Sequence, residues 1–192
     1  MAGTDARTRA FETLAQLLVS EESLADGLTA MVRVVTDAVP AAAEAGLTTT
    51  DAHGRLSTPI YTDGDVPDMD QAQYDSGRGP CLDCWRQAEV VRIDDLSTAT
   101  DRYPEFVAAA DRRGIHSTLS VPMVVGGQSL GALNLYSPEP DGFSTDDEEL
   151  LRDLAPATAA FLANAQAYWQ AFELSEQLND ALSSRSVIDQ AK

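Results

Sequence analysis

The stretch "IHSTLSVPMVVGGQSLGALNLYS", residues 115–137, reads as two strands around a Gly126–Gly127 turn. A two-residue glycine turn joins antiparallel neighbours, whereas parallel strands need a crossover of a dozen residues or more. The sheet is therefore expected to be antiparallel, with the strand at 117–125 near its centre. Pro122 has no N–H to give to a ladder, so it should sit at a bulge or an unpaired position.

Outward from this hairpin the same grammar repeats. "AGLTTTDAHGRLSTPIYTD", residues 45–63, reads as a second strand pair, with Gly54 in its turn. "DGDVPDMD", residues 63–70, reads as an acidic loop. "MDQAQYDSG" (69–77) and "PCLDCWRQAE" (80–89) read as two short helices broken by Gly77 and Gly79. "EVVRIDD" (89–95) is a strand, and "PEFVAAADRRG" (104–114) is a helix stopped by Gly114. Upstream, Phe11, Leu14, Leu17 and Leu18 recur at helical spacing, as do Leu24, Leu28, Met31 and Val35. Ser20 is the candidate cap of the second of these helices, and Pro40 marks its stop. The pattern implies an α+β fold, an antiparallel sheet covered by helices on both faces, with long helices at each end.

The last segment, from Ser144 to about Ser184, is long for one helix. Thr145 and Glu148 have capping-box spacing. Leu154, Thr158, Phe161, Ala165, Tyr168 and Phe172 then form a stripe that Leu174 and Leu178 continue. A stripe sustained beyond ~25 residues points to an intermolecular coiled coil. Phe11, Leu14 and Leu18 on the first helix, with Tyr168, Phe172 and Leu178 on the last, are the candidate homodimer contacts. Pro156 removes a backbone hydrogen bond, so a kink is expected just before it.

Composition narrows the function classes. Thirty-one acidic residues face 13 basic ones, for a net charge of −18. Nucleic-acid binding rests on cationic side chains neutralising phosphates, so this chain by itself should repel DNA and RNA. No run reaches the ~20 apolar residues of a membrane span, and the N-terminus lacks the apolar core of a signal peptide. A cytoplasmic, membrane-free protein is expected, in a compartment where thiols stay reduced.

The two cysteines, Cys81 and Cys84, stand as C-x-x-C behind Gly-Pro. Pro80 suits a first helical turn, which puts Cys81 near a helix N-terminus, where a thiol pKa falls. The motif follows a helix and an antiparallel hairpin, which is the wrong context for a thioredoxin-like centre. The only histidines, His53 and His116, are too far apart to complete a zinc finger. Packed residues of a core or pocket, redox-responsive thiols and half a metal site remain the three readings. His116 is placed on a central strand as a structural or ligand-facing residue. There is no GxSxG elbow, P-loop, GxGxxG or HExxH. With no catalytic constellation and no metal set, a non-enzymatic protein is expected.

The motifs "MDQAQYDSGRGPCLDC", "VVRIDDL", "DRYPEFVAAADRRGIHSTLSVPMVVGGQSLGALNLYS" and "FSTDDEELLRDLA" together resemble a GAF domain, over residues 22–165. The resemblance is to the GAF domains of actinobacterial GAF–ANTAR regulators, and "ALSSRSVIDQAK", residues 181–192, is similar to the opening of an ANTAR domain. Cys84 stands where those proteins often carry alanine, and Tyr103 where they carry tryptophan. The NKFDE signature of cyclic-nucleotide-binding members and a bilin-attachment Cys-His pair are absent.

The resemblance implies residues 1–21 as a dimerising helix, 22–165 as the sensor, and 166–192 as a signalling helix entering a mostly missing ANTAR region. It implies a homodimer that binds an unidentified small molecule and reaches RNA only through that region, in transcription antitermination. No particular cofactor is implied. The pocket is expected between the sheet and residues 69–113, with Tyr74, Cys81, Cys84, Phe106 and His116 as candidate lining. The alternatives are a ligand-free dimerisation module and a thiol-dependent reductase similar to the free methionine sulfoxide reductases, which share the fold.

Overall fold

The computed structural model describes residues 7–10, 12–13, 24–50, 55–62 and 66–190. In chain order the elements are α1 (Leu24–Ala38), β1 (Glu44–Thr50), β2 (Leu56–Tyr61), α2 (Val66–Ser76) and α3 (Pro80–Gln87). Then come β3 (Val91–Ile93), a 3₁₀ turn (Leu96–Ala99), α4 (Pro104–Asp111), β4 (Ser117–Val125), β5 (Gln128–Ser137) and α5 (Thr145–Gln190). The five strands form one sheet in the order β2-β1-β5-β4-β3, and every pairing is antiparallel.

The 115–137 hairpin lies at the heart of this sheet, as the sequence implies, although β5 rather than β4 holds the middle place. Gly126 and Gly127 both have positive φ (59° and 81°), the backbone shape this turn demands. Pro122 pairs opposite Ala132, and the register shift falls one step later, between Met123 and Val124. β3 pairs only with Thr118, Leu119 and Ser120, so Pro122 lies past the end of that neighbour.

One face of the sheet is apolar. Leu47, Leu119, Val121, Met123, Leu133 and Leu135 are buried there beneath α1 and α5. α1 contributes the expected stripe of Leu28, Met31, Val32 and Val35, and α5 contributes Leu151, Leu154, Phe161 and Leu162. Truncating any one of these to alanine removes about 2–5 kcal/mol. The other face is largely polar: Thr48, Thr118, Ser120 and Asn134 are fully buried there, under the smaller helices.

α5 runs 46 residues and passes through Pro156 without interruption. Its cap is one residue earlier than the sequence suggests. Ser144 N–H donates to Asp147 Oδ2 (2.8 Å), and Asp147 N–H donates to Ser144 Oγ (3.2 Å), so the reciprocal box is Ser144–Asp147. α2 begins at Val66, inside the stretch read as an acidic loop. Phe11, Leu14 and Leu18 lie outside the described residues, as do the side chains of Phe172 and Leu178. Tyr168 is 60% exposed.

Gly131, at the centre of β5, is required by close approach. A Cβ there would collide with the backbone carbonyl of Thr48 on β1. A strand cannot yield as a side-chain tip can. Gly131→Ala is expected to lower the unfolding free energy by about 3 kcal/mol, read from urea denaturation. An unchanged midpoint would contradict this account of the β1–β5 contact.

Candidate functional site

The polar face of the sheet and the helices α2 and α3 enclose a hydrogen-bonded cluster centred on Asp70. Asp70 projects from α2 and is completely buried. Its Oδ2 accepts from Thr58 Oγ1 (2.6 Å), and its Oδ1 accepts from Tyr136 OH (2.5 Å) and Gln73 Nε2 (3.1 Å). All three partners are neutral. Burial dominates over these hydrogen bonds and raises the carboxyl pKa from 3.8 to about 6.

Proton counting fixes the direction of the adjoining chain. Thr58 has one hydroxyl proton, and it goes to Asp70. Tyr74 OH, 2.7 Å from Thr58 Oγ1, must therefore donate to it. Thr48 Oγ1, 3.0 Å from Tyr74 OH, must in turn donate to the phenol. Asn134 Nδ2 donates to Thr48 Oγ1 (2.9 Å). The whole chain, Asn134 to Thr48 to Tyr74 to Thr58, points its protons at one carboxylate, and such aligned bonds strengthen one another. At its far end Asn134 Oδ1, and Ser120 Oγ on the neighbouring strand, are buried with no partner among the described residues. Ser120 and Asn134 are direct cross-strand partners.

α3 covers this cluster. Its first-turn amide, Cys81 N–H, donates to Gln73 Oε1 (3.0 Å). Trp85 Nε1 donates to the Ser129 carbonyl (3.2 Å). On its outer side Asp83 Oδ2 accepts from both Tyr103 OH and Arg102 Nη2 (2.6 Å each), and the Arg102 guanidinium lies 4.8 Å from the Tyr103 ring centre. Three separate anchors therefore hold α3 against the sheet and α4.

The candidate residues divide. Tyr74, Cys81 and Cys84 belong to this cluster or its apolar border with Leu82 and Ala132. Phe106 is buried in a neighbouring apolar group, its ring 6.3 Å from that of Tyr136. His116 is not among them. It precedes β4 rather than lying on it and is exposed, its backbone serving as a spacer between Leu96 and Ser137. The strand placement failed because β4 starts one residue later, at Ser117. Asp70, Gln73, Thr48, Thr58, Asn134 and Tyr136 were missed. The polar alternation of "STLS" and "ALNLY" was the available signal, since residues two apart share a sheet face.

Two surface clefts lie elsewhere. One, of about 340 Å³, is lined by Arg9, Ala10, Thr13, Val34, Asp37 and Ala38. The other, of about 200 Å³, lies between the ends of β4 and α5 near Pro122 and Pro156. Neither includes a candidate lining residue. Among the described residues no three His, Cys, Asp or Glu side chains are grouped to hold a metal, and no helix is long and apolar enough to cross a membrane.

Both thiols are free and buried. Burial, then the nearby Asp70 carboxylate, raises the Cys81 pKa well above its usual value. Burial likewise pushes Cys84 up to about 12, against a backbone hydrogen bond from Val91. The helix N-terminus does not prevail over desolvation here.

This architecture, a five-stranded antiparallel sheet with a polar layer sealed under short helices and long helices behind, defines a sensor-type fold. A GAF domain family model matches residues 21–163, and the chain belongs to that family. The GAF domain of an Acinetobacter phosphoenolpyruvate-protein phosphotransferase superposes with a TM-score of 0.65 at 18% identity, covering 85% of this chain and 94% of that one. The type II free methionine-R-sulfoxide reductase of Thermoplasma acidophilum has a TM-score of 0.59 at 19% identity, covering 74% and 96%. Among curated proteins, the anaerobic nitric oxide reductase transcription regulator NorR of Citrobacter koseri is 30% identical over 113 residues. That match covers 58% of this chain, which spans only 22% of the regulator's length. The reductase overturns one expectation. A missing catalytic motif is no ground for excluding an enzyme when a chain of the same fold is a reductase.

Two outcomes follow from the cluster. Asp70 is protonated more readily folded than unfolded, so its contribution is full below pH 3.8 and is lost as pH rises through about 6. The stability of the wild type relative to Asp70→Asn should fall by about 2 kcal/mol between pH 4 and 7, measured by denaturant titration; a constant difference contradicts the buried carboxyl. Iodoacetamide at pH 8 should leave Cys81 and Cys84 largely unmodified until denaturant is added, and fast native alkylation would contradict their burial.

Proposed function

We propose that this GAF domain is the small-molecule-sensing part of a cytoplasmic signal-transduction regulator, working as a homodimer. Its output passes along α5 into an RNA-binding ANTAR module that controls transcription antitermination. The observation that carries the sensor reading is the Asp70 cluster, a polar layer with unpartnered acceptors sealed beneath a helix that hydrogen bonds and one ion pair hold in place. Such a layer is costly in a purely structural domain. The likeness to a transcription regulator over 113 residues supports the regulatory setting, and the likeness of residues 181–192 to an ANTAR opening supports the output.

The coupling is mechanical. The two faces of the sheet share strands, so a ligand that shifts β4 or β5 on the polar side moves the strands on which α5 rests. At 1.5 Å per residue α5 extends about 69 Å, far past Trp169, where it still packs against the core. The exposed ring of Tyr168 begins the stripe that Phe172 and Leu178 continue. A second copy is the natural cover for such a stripe, and the register of two outgoing helices sets the spacing of what they carry.

Sedimentation of the wild type at tens of micromolar should show a dimer, and Phe172→Glu with Leu178→Glu should convert it to monomer. A wild-type monomer would rule out the output route. Native mass spectrometry of protein purified without denaturation tests the sensor reading through a co-purified small molecule. A pocket that accepts none, in a dimer that is otherwise intact, would favour the ligand-free dimerisation module.

A further inference from the structure

The chemistry of the Asp70 cluster specifies what kind of molecule enters it. A buried carboxylate is ordinarily matched by a cation, yet Asp70 has three neutral partners and no ion pair with a described arginine. Of the unpartnered atoms at the other end of the cluster, Asn134 Oδ1 is an acceptor and Ser120 Oγ is a hydroxyl that can accept or donate. The site is therefore rich in acceptors and short of positive charge.

Gln73 is the one member of the cluster that could be spared. Its carboxamide is wedged between Asp70 and the start of α3, with Nε2 on Asp70 Oδ1 and Oε1 on Cys81 N–H. It fills the space over Gly79, where any Cβ would collide with it. A donor group facing the carboxylate, with an acceptor beside it facing the helix amide, is what a ligand would present there.

We propose that the space held by the Gln73 carboxamide is a recognition subsite for a small organic cation, an ammonium or amidinium bearing an adjacent hydrogen-bond acceptor, and that Gln73 is the internal plug this ligand displaces. The inference rests on the sensor reading and names the ligand class for it. The ligand's charged N–H takes the place of Nε2 on Asp70, and its acceptor takes the place of Oε1 at Cys81 N–H. Displacing Gln73 cuts the hydrogen bond that ties α2 to the first turn of α3, while the Asp83, Trp85 and Arg86 hydrogen bonds of α3 remain. Anionic effectors are rejected, because a second negative charge would meet Asp70 with no cation to offset it.

The pH dependence follows from the groups that face Asp70. These are Tyr74 from α2, Cys81 from α3, Tyr136 from β5 and Thr58 from β2. Burial raises the pKa values of Tyr74, Cys81 and Tyr136, so all three stay neutral. Only Asp70 changes charge near neutrality, and cation affinity should rise with pH to about 6 and then level off.

The test uses three small primary amides on the full chain: glycinamide (cationic), propionamide (neutral) and malonamate (anionic). Binding is read by calorimetry from pH 5 to pH 7, where glycinamide stays protonated. Glycinamide should bind best, and at least tenfold more tightly to Gln73→Ala than to wild type. Its advantage over propionamide should vanish in Asp70→Asn, and in wild type at pH 5 it should shrink about tenfold relative to pH 7. If either variant fails to fold, as judged by circular dichroism, the wild-type pH series decides. Equal or tighter binding of propionamide or malonamate would overturn the ligand class while leaving a sensor of another specificity standing. No binding of any probe to folded Gln73→Ala would overturn the subsite itself. A co-purified ligand found in native mass spectrometry then judges the sensor reading separately.

Discussion

The burial of the Asp70 carboxyl without a counter-charge is the constraint around which the polar half of this molecule is arranged. A carboxylate taken from water into a protein interior must be hydrogen-bonded or neutralised. Here Thr58, Tyr136 and Gln73 do the first, and a pKa raised to about 6 moves it toward the second. Each donor in turn needs a supplier, which is why Tyr74, Thr48 and Asn134 line up behind Thr58. The identities of inward-facing residues on β1, β2 and β5 follow from that single group. The apolar face, by contrast, is built by ordinary burial beneath α1 and α5.

In the proposed function, this division of the sheet is what connects the polar layer to α5. One sheet carries a polar layer on one side and the root of a 46-residue helix on the other. The strands between them are one layer thick, and their centre is fixed by the Gly131 approach to Thr48. Thr48 is also a member of the hydrogen-bond chain. A rearrangement at Asp70 thus reaches the β1–β5 contact through the hydroxyls of Thr58, Tyr74 and Thr48 and the Thr48 backbone carbonyl. The same fold occurs in a reductase and in a phosphotransferase-associated domain, so the scaffold by itself does not assign a function.

The architecture was legible in the sequence because turn glycines and helical stripes are local signals. Gly126–Gly127 announced the central hairpin, and Leu28, Met31 and Val35 announced the helix packed behind it. The site was legible only in part. Asp70 sits in a stretch with Asp63, Asp65 and Asp68, where composition suggests a solvated loop; the burial of Asp70 is a tertiary fact. Tyr74 and the cysteines were found because their residue types or spacing stand out. Gln73 was invisible, since nothing about a glutamine in a helix says that its amide bridges two helices. His116 misled because a one-residue difference in where β4 begins moves a side chain from the sheet to solvent.

The most direct test is the titration of Asp70 itself, followed through its carboxyl carbon chemical shift in the isotopically labelled full chain. A buried carboxyl with neutral partners alone titrates with a midpoint near 6. A midpoint near 4 would mean that the group is hydrated or paired with a cation, and the account of the polar layer would fall with it.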